Sequence, residues 1–194
     1  MDSFTEELKF AEELKPYLVG EKLNLGCGNT KMAGFINADM HGDADLLFDC
    51  RKPWPIEPKS LDTVYAHHIL EHFDSNEIFN VFWEIGAALK DGGHLVAHTP
   101  HAASSHQFAC PQHKTGFTEN SLHHYSKSTF AAGGVSSGMG QGIRMHNWTP
   151  VQVFLVPNEE YEKADHNSSE FKFAVRHFNN VIREVVFVLR KDAD

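Results

Sequence analysis

The chain has 194 residues, of which 41% are apolar and 22% charged, and its 17 Lys+Arg against 26 Asp+Glu leave a net charge of −9. That composition describes one ordinary globular domain, excludes a disordered chain, and disfavours a nucleic-acid partner because an acidic surface repels phosphate backbones. No apolar run approaches the ~18 residues of a membrane span, the N-terminal stretch lacks a signal-peptide pattern, and Cys27, Cys50 and Cys110, with no C-x-x-C pair, read as free thiols of a reducing cytoplasm.

The first predicted element is a helix over 3–15. Ser3 and Glu6 form a capping-box pattern, and Phe4, Leu8, Ala11 and Leu14 share one face. Pro16 and Gly20 close it. This segment, 1–20, reads as a lid or flank to the first strand. Strands are expected at 23–25, 35–38, 45–48 and 61–66, the first stopped by Gly26-Cys27-Gly28, the second and third ended by Asp39 and Asp49, and the fourth entered through Pro53, Pro55 and Pro58. A clear helix comes next, capped by Ser75, with Ile78, Val81, Phe82, Ile85 and Leu89 as its apolar stripe and Gly92-Gly93 as its stop. A fifth strand runs over 94–99. Strands alternating with helices imply a mostly parallel sheet with helices on its faces. Residues 101–147 are rich in His, Ser, Gly and Gln, and 131–142 has the composition of a flexible loop. The β-branched runs 151–156 and 181–189 read as an antiparallel pair closing one sheet edge.

Ligands of open α/β sheets bind outside the carboxyl ends of the strands. Gly26-Cys27-Gly28 follows the first strand, Asp39 ends the second and Asp49 ends the third. Glycines permit close backbone approach; the two aspartates can accept hydrogen bonds from a ribose diol and an adenine amine. The dinucleotide fingerprint is incomplete, because a third glycine is missing and the acidic residue comes too early. There is no Walker lysine either. A nucleoside ligand without a pyrophosphate fits better, which points to S-adenosylmethionine.

The blocks Leu23-Asn24-Leu25-Gly26-Cys27-Gly28, Gly34-Phe35-Ile36-Asn37-Ala38-Asp39, Leu47-Phe48-Asp49, Ser60 to Tyr65, His68-Ile69-Leu70-Glu71-His72 and Leu89-Lys90-Asp91-Gly92-Gly93 together resemble the class I S-adenosylmethionine-dependent methyltransferases of the small type-11 kind. The resemblance implies a Rossmann-like three-layer α/β sandwich over 1–194, with a seven-stranded, mostly parallel sheet, an antiparallel C-terminal strand pair, and 101–147 as an active-site insertion. By position it implies that the backbone of Gly26, Cys27 and Gly28 faces the methionyl part of the cofactor. Asp39 would bind the ribose, Met40 would pack on adenine, Asp49 and the Cys50 amide would meet the adenine edge, and His67 would line the other side. The acceptor would be a small molecule or glycan-like compound. One departure stands out: the first two strands lie too close in sequence for a crossover helix, so a turn must replace it and the N-terminal helix would cover the space.

Methyl transfer needs positioning, and a base near neutral pKa helps an oxygen or nitrogen nucleophile. His72, His101 and His113 are the catalytic candidates, the last two at recurrent histidine positions of the resembling sequences. His68, Glu71 and His72 form H-x-x-E-H, which would bring all three to one face of a helix. Structural hydrogen bonding is the plain reading of that group; a divalent metal site and an inverzincin-type peptidase are the others, and no residue is assigned to a metal. His106, Cys110 and His113 form a further, weakly patterned zinc possibility. Phe108, Phe117, Tyr125, Phe130 and Trp148 read as substrate pocket or core. A non-catalytic module that binds S-adenosylmethionine or a metal is the alternative function.

Overall fold

The computed structural model describes residues 12–126 and 143–193. Seven strands form one sheet in the order β3-β2-β1-β4-β5-β7-β6: β1 (Lys22–Leu25), β2 (Ile36–Asp39), β3 (Leu46–Leu47), β4 (Leu61–His67), β5 (Leu89–Pro100), β6 (Trp148–Pro157) and β7 (Ile182–Lys191). The first five pair in parallel. β7 runs antiparallel between β5 and the edge strand β6. The expected α/β class, the seven strands and the antiparallel closing pair are all present.

The central strands are covered on both faces, and most of the side chains they bury are apolar. One face presents Leu23 and Leu25, Val64 and Ala66, Leu95 and Ala97, and Val185, Phe187 and Leu189. Helix α1 (Glu77–Ala88) packs there through Ile78, Val81, Phe82, Ile85 and Ala88. The other face presents Tyr65, Val96, Val186 and Val188, covered by Leu14, Tyr17, Leu18, Met32 and Phe35. The N-terminal segment, helical at 12–14 and a 3-10 turn at Lys15–Tyr17, therefore covers the face left bare by the missing first crossover helix. The rest of the helix expected over 3–15 lies outside the described residues, as do Phe130 and the loop expected at 131–142.

Local details correct several boundaries. Ser75 is not the cap of α1. Asp74 Oδ1 accepts from the Asn76 and Glu77 amides (2.9 and 3.0 Å), and Glu77 Oε2 accepts in return from the Asp74 amide (3.0 Å). This is a reciprocal capping box one residue earlier. Gly92-Gly93 does not stop the helix either. The chain leaves it at Leu89, which already pairs with Leu61, and bulges before Thr63 meets His94. After β5 comes a short helix, α2 (Ser105–Ala109), with Ser104 as its cap. The polar linker before β7 contains an unexpected helix, α3 (Ser169–His177), capped by Ser168 Oγ on the Phe171 amide.

Candidate active site

The tips of β1, β2 and β4 open into a cavity of about 730 Å³, lined among others by Gly26, Asp39, Met40, Phe48, Asp49 and Cys50. That size suits a small organic ligand. The β1 tip is shaped by Gly26, whose φ is +69°. Its amide and that of Cys27 both donate to Ala38 O (2.8 and 3.0 Å), which binds the turn to the next strand. A Cβ on Gly26 would stand 2.2 Å from Ile69 Cδ1, so only glycine fits both the backbone angle and the space.

Two carboxylates stand at neighbouring tips, and their hydrogen bonds can be counted. Each carboxylate oxygen accepts about two. Asp39 Oδ2 takes the Gly28 amide (2.9 Å) and Oδ1 takes the His41 amide (3.0 Å). One lone pair on each oxygen stays open, the arrangement that a vicinal diol requires. Asp49 is engaged further. Its Oδ1 takes the Arg51 amide and Nε, and its Oδ2 takes the other guanidinium nitrogen (3.0 Å). The Arg51 hydrogen bonds hold the Asp49 carboxyl below the ordinary carboxylate range. One acceptor position remains on Oδ2. Burial pushes the adjacent Cys50 thiol up to about 12, so it is no nucleophile.

Beyond β4 the expected helix is a single 3-10 turn, Leu70–His72. His68 precedes it in the left-handed region, with φ +51°, so helical spacing does not gather His68, Glu71 and His72 on one face. His68 Nδ1 still meets Glu71 Oε1 at 3.1 Å, and its Nε2 lies 3.7 Å from Glu184 on β7. Burial disfavours the charge on His68, but Glu184 and Glu71 outweigh it and raise the imidazole to about 9. His67 and His98 form the neutral counterpart, with rings 5.1 Å apart beside Tyr65. Burial lowers them to about 4 and about 3.

His72 turns the other way. Its ring lies edge-to-face against His113, centroids 4.9 Å apart, although the two are 41 residues apart in sequence. His113 Nδ1 donates to Gln107 O (3.1 Å), because a carbonyl can only accept, and so its Nε2 keeps the basic lone pair. His101 is the reverse case. Its Nδ1 already accepts the Ala103 amide (3.2 Å), and its Nε2 stands 3.6 Å from Glu119.

Of the residues singled out in the sequence, Gly26, Asp39, Met40, Asp49, Cys50 and His72 line this cavity, whereas Cys27, Gly28, His67, His101 and His113 do not. Gly28 acts on it through Asp39, and His113 stands behind His72. His68, singled out for H-x-x-E-H, also lines it, as do Arg51, Pro111, Gln112 and Lys114; hydropathy patterns carry no signal for the last four. Phe117 and Trp148 belong to the core, with Tyr125 packed against them, while Phe108 is 79% exposed. Arg144 and His146 lie against Trp83 of α1, the imidazole of His146 stacked on it at 4.2 Å.

No family model matches the chain, and no curated protein sequence matches it. Solved structures do. The chain is similar to a SAM-dependent methyltransferase from Archaeoglobus fulgidus, with a TM-score of 0.62 and 18% identity over 98% of this chain and 100% of that one. A SAM-dependent methyltransferase from Methanosarcina mazei gives 0.60 and 14%, covering 94% of this chain and 98% of that one. Phosphoethanolamine N-methyltransferase 2 of Haemonchus contortus, in complex with S-adenosyl-L-methionine, gives 0.59 and 14% over 98% of this chain and 53% of that one. The fold is that of these methyltransferases. Among the described residues no helix is long and apolar enough to cross a membrane.

Proposed function

We propose that the protein binds S-adenosylmethionine in the 730 Å³ cavity and transfers its methyl group to a small-molecule or glycan-like acceptor. The observation that carries this reading is Asp39: a carboxylate held by two backbone amides at the β2 tip, with one open lone pair on each oxygen. That is the complement of a ribose diol. Met40, 46% exposed beside it, supplies an apolar surface for adenine. The remaining acceptor position of Asp49 and the Cys50 amide suit the adenine edge. Gly26 lets the methionyl chain lie close to the backbone. The fold shared with the SAM-dependent methyltransferases supports the same assignment.

The reaction is an in-line displacement. A lone pair on an acceptor oxygen or nitrogen forms the bond to the methyl carbon, the carbon–sulfur bond breaks, S-adenosylhomocysteine leaves with the sulfur pair, and the acceptor's O–H or N–H proton passes to water. The protein's main contribution is to hold the two reactants in line. His72 on the cavity wall meets the acceptor side, His113 backs it, and His101 supports the loop that carries His113.

Calorimetry with S-adenosylhomocysteine tests the binding, and transfer of labelled methyl groups from S-adenosylmethionine to the small-molecule fraction of a cell extract tests the reaction. Micromolar binding, weakened at least ~10-fold, about 1.4 kcal/mol, by Asp39→Ala, is expected. No binding by the wild-type chain at millimolar ligand overturns the reading. Binding without any labelled product reduces the protein to a cofactor-binding module.

A further inference from the structure

We infer that Glu71, His72 and His113 form a binding site for one divalent transition-metal ion, zinc foremost, at the edge of the cavity. The inference rests on the methyltransferase reading only for what the ion does there, not for its binding. Among the described residues this is the one group of His, Cys, Asp or Glu side chains whose ligand atoms gather, all within 4.8 Å of one another. It differs from both arrangements suggested by spacing. His68 points to Glu71 and Glu184 instead, and His106 and Cys110 are not in the group.

Three observations point to an ion. Glu71 is 0% exposed, and its Oε2 has no hydrogen-bond partner. A buried carboxylate oxygen left in this way is costly until a donor or a cation meets it, and the two imidazoles gathered here suit a cation. His113 donates Nδ1–H to the Gln107 carbonyl, the outer contact that metal-bound imidazoles usually make, and presents Nε2 as a bare donor 3.9 Å from Glu71 Oε1. His68 holds Glu71 Oε1 at 3.1 Å, as an outer partner of a ligating carboxylate does.

The scaffold is firm where it must be. The Lys114 and Thr115 amides donate to Glu71 O (2.7 and 3.1 Å), and Thr115 Oγ1 donates to Phe73 O (2.7 Å). The loop bearing His113 is thus stitched to the turn bearing Glu71 and His72. Two imidazoles and one carboxylate suit zinc and its neighbours rather than magnesium or calcium, which prefer oxygen. Ligands of a tetrahedral ion at ~2.1 Å stand roughly 3.4 Å apart. The separations of up to 4.8 Å therefore close by as much as about 1.4 Å on binding, a rotation open to the half-buried His72. Three protein ligands leave one position vacant, and His72 borders the cavity. The ion would hold an oxygen or nitrogen of the methyl acceptor there, which makes His72 and His113 ligands rather than bases.

The full-length protein, stripped with a chelator and titrated with Zn²⁺ against a chromogenic competitor, is expected to bind one ion per chain at submicromolar Kd. Co²⁺ should give a visible spectrum of a four- or five-coordinate nitrogen–oxygen site. His72→Ala and His113→Ala are expected to weaken Zn²⁺ at least 100-fold, and His106→Ala and Cys110→Ala to leave it unchanged. A wild-type stoichiometry near zero, or equal affinity in the two ligand variants, overturns the site. Should those variants fail to fold, the wild-type cobalt spectrum decides: an octahedral, water-like spectrum overturns the site. S-adenosylhomocysteine binding, measured with and without metal, separates the two readings. A protein that binds S-adenosylhomocysteine but no zinc sinks only the metal site; one that binds zinc but no S-adenosylhomocysteine sinks only the methyltransferase.

Discussion

Asn24 and Asn37 sit opposite one another on the parallel strands β1 and β2, and Asn24 Nδ2 donates to Asn37 Oδ1 at 3.0 Å in a buried setting. Around this pair the short β1–β2 connection closes. Asn24 Nδ2 also reaches Thr30 O, and Asn37 Oδ1 takes the Met32 amide (3.0 and 2.8 Å). Asn37 Nδ2 donates to Asp45 Oδ2 (2.8 Å). A crossover helix would bury an apolar stripe on these strands and satisfy its own backbone. A ten-residue turn cannot, so two buried amides satisfy its polar groups instead.

Asn37→Leu is therefore expected to destabilise the fold by about 2–3 kcal/mol, since it takes Oδ1 away from both the Met32 amide and the buried Asn24 Nδ2. Urea unfolding measures this. A midpoint equal to the wild type's would show that the turn holds together without the pair.

Gly26→Ala combines a φ of +69° with a Cβ 2.2 Å from Ile69. The left-handed backbone alone costs about 1–3 kcal/mol. Displacing Ile69 also deforms the cavity wall, so S-adenosylhomocysteine affinity should fall together with the melting temperature. Unchanged affinity in a destabilised variant would separate the turn from the ligand.

Phe117 is 0% exposed, stands T-shaped to Phe187 on β7 with centroids 6.2 Å apart, and pairs through its backbone with the segment after β5. Phe117→Ala should cost about 3–5 kcal/mol. Because the same loop carries His113, protease cleavage between 101 and 126 should accelerate before global unfolding. Cleavage at wild-type rate would show that the loop is anchored elsewhere.

Acid sensitivity is expected from Asp91. Lys191 and Lys59 bond its two oxygens (2.6 and 2.8 Å) and lower the carboxyl from 3.8 to about 2. The unfolded chain takes up that proton first. The contribution is therefore complete above the unfolded value and is lost as pH falls towards 2. Asp91→Asn should be less stable at neutral pH and lose less on acidification. Parallel stability curves for the two proteins between pH 5 and 2 would remove Asp91 from the account.

The strand-and-turn grammar of the first hundred residues is legible in the sequence because buried strands, glycines and strand-ending aspartates leave local marks. The same marks assign Gly26, Asp39 and Asp49 to one rim, since parallel strands put their carboxyl ends on the same side. The α1 stripe is likewise a local property of 3.6-residue periodicity. Ser168, as a cap, could have disclosed α3 by the same logic.

What lay beyond reach were contacts between distant segments whose backbone angles follow no period. The left-handed φ of His68 breaks the helical spacing on which H-x-x-E-H was read, and sends His68 to Glu184 rather than to His72. His72 meets His113 because backbone amides dock the loop onto the Glu71 carbonyl. Residue type announces which side chains can bind a cofactor, a proton or a metal. Which of them converge depends on chain packing over tens of residues, and that information is distributed through the core rather than written at the site.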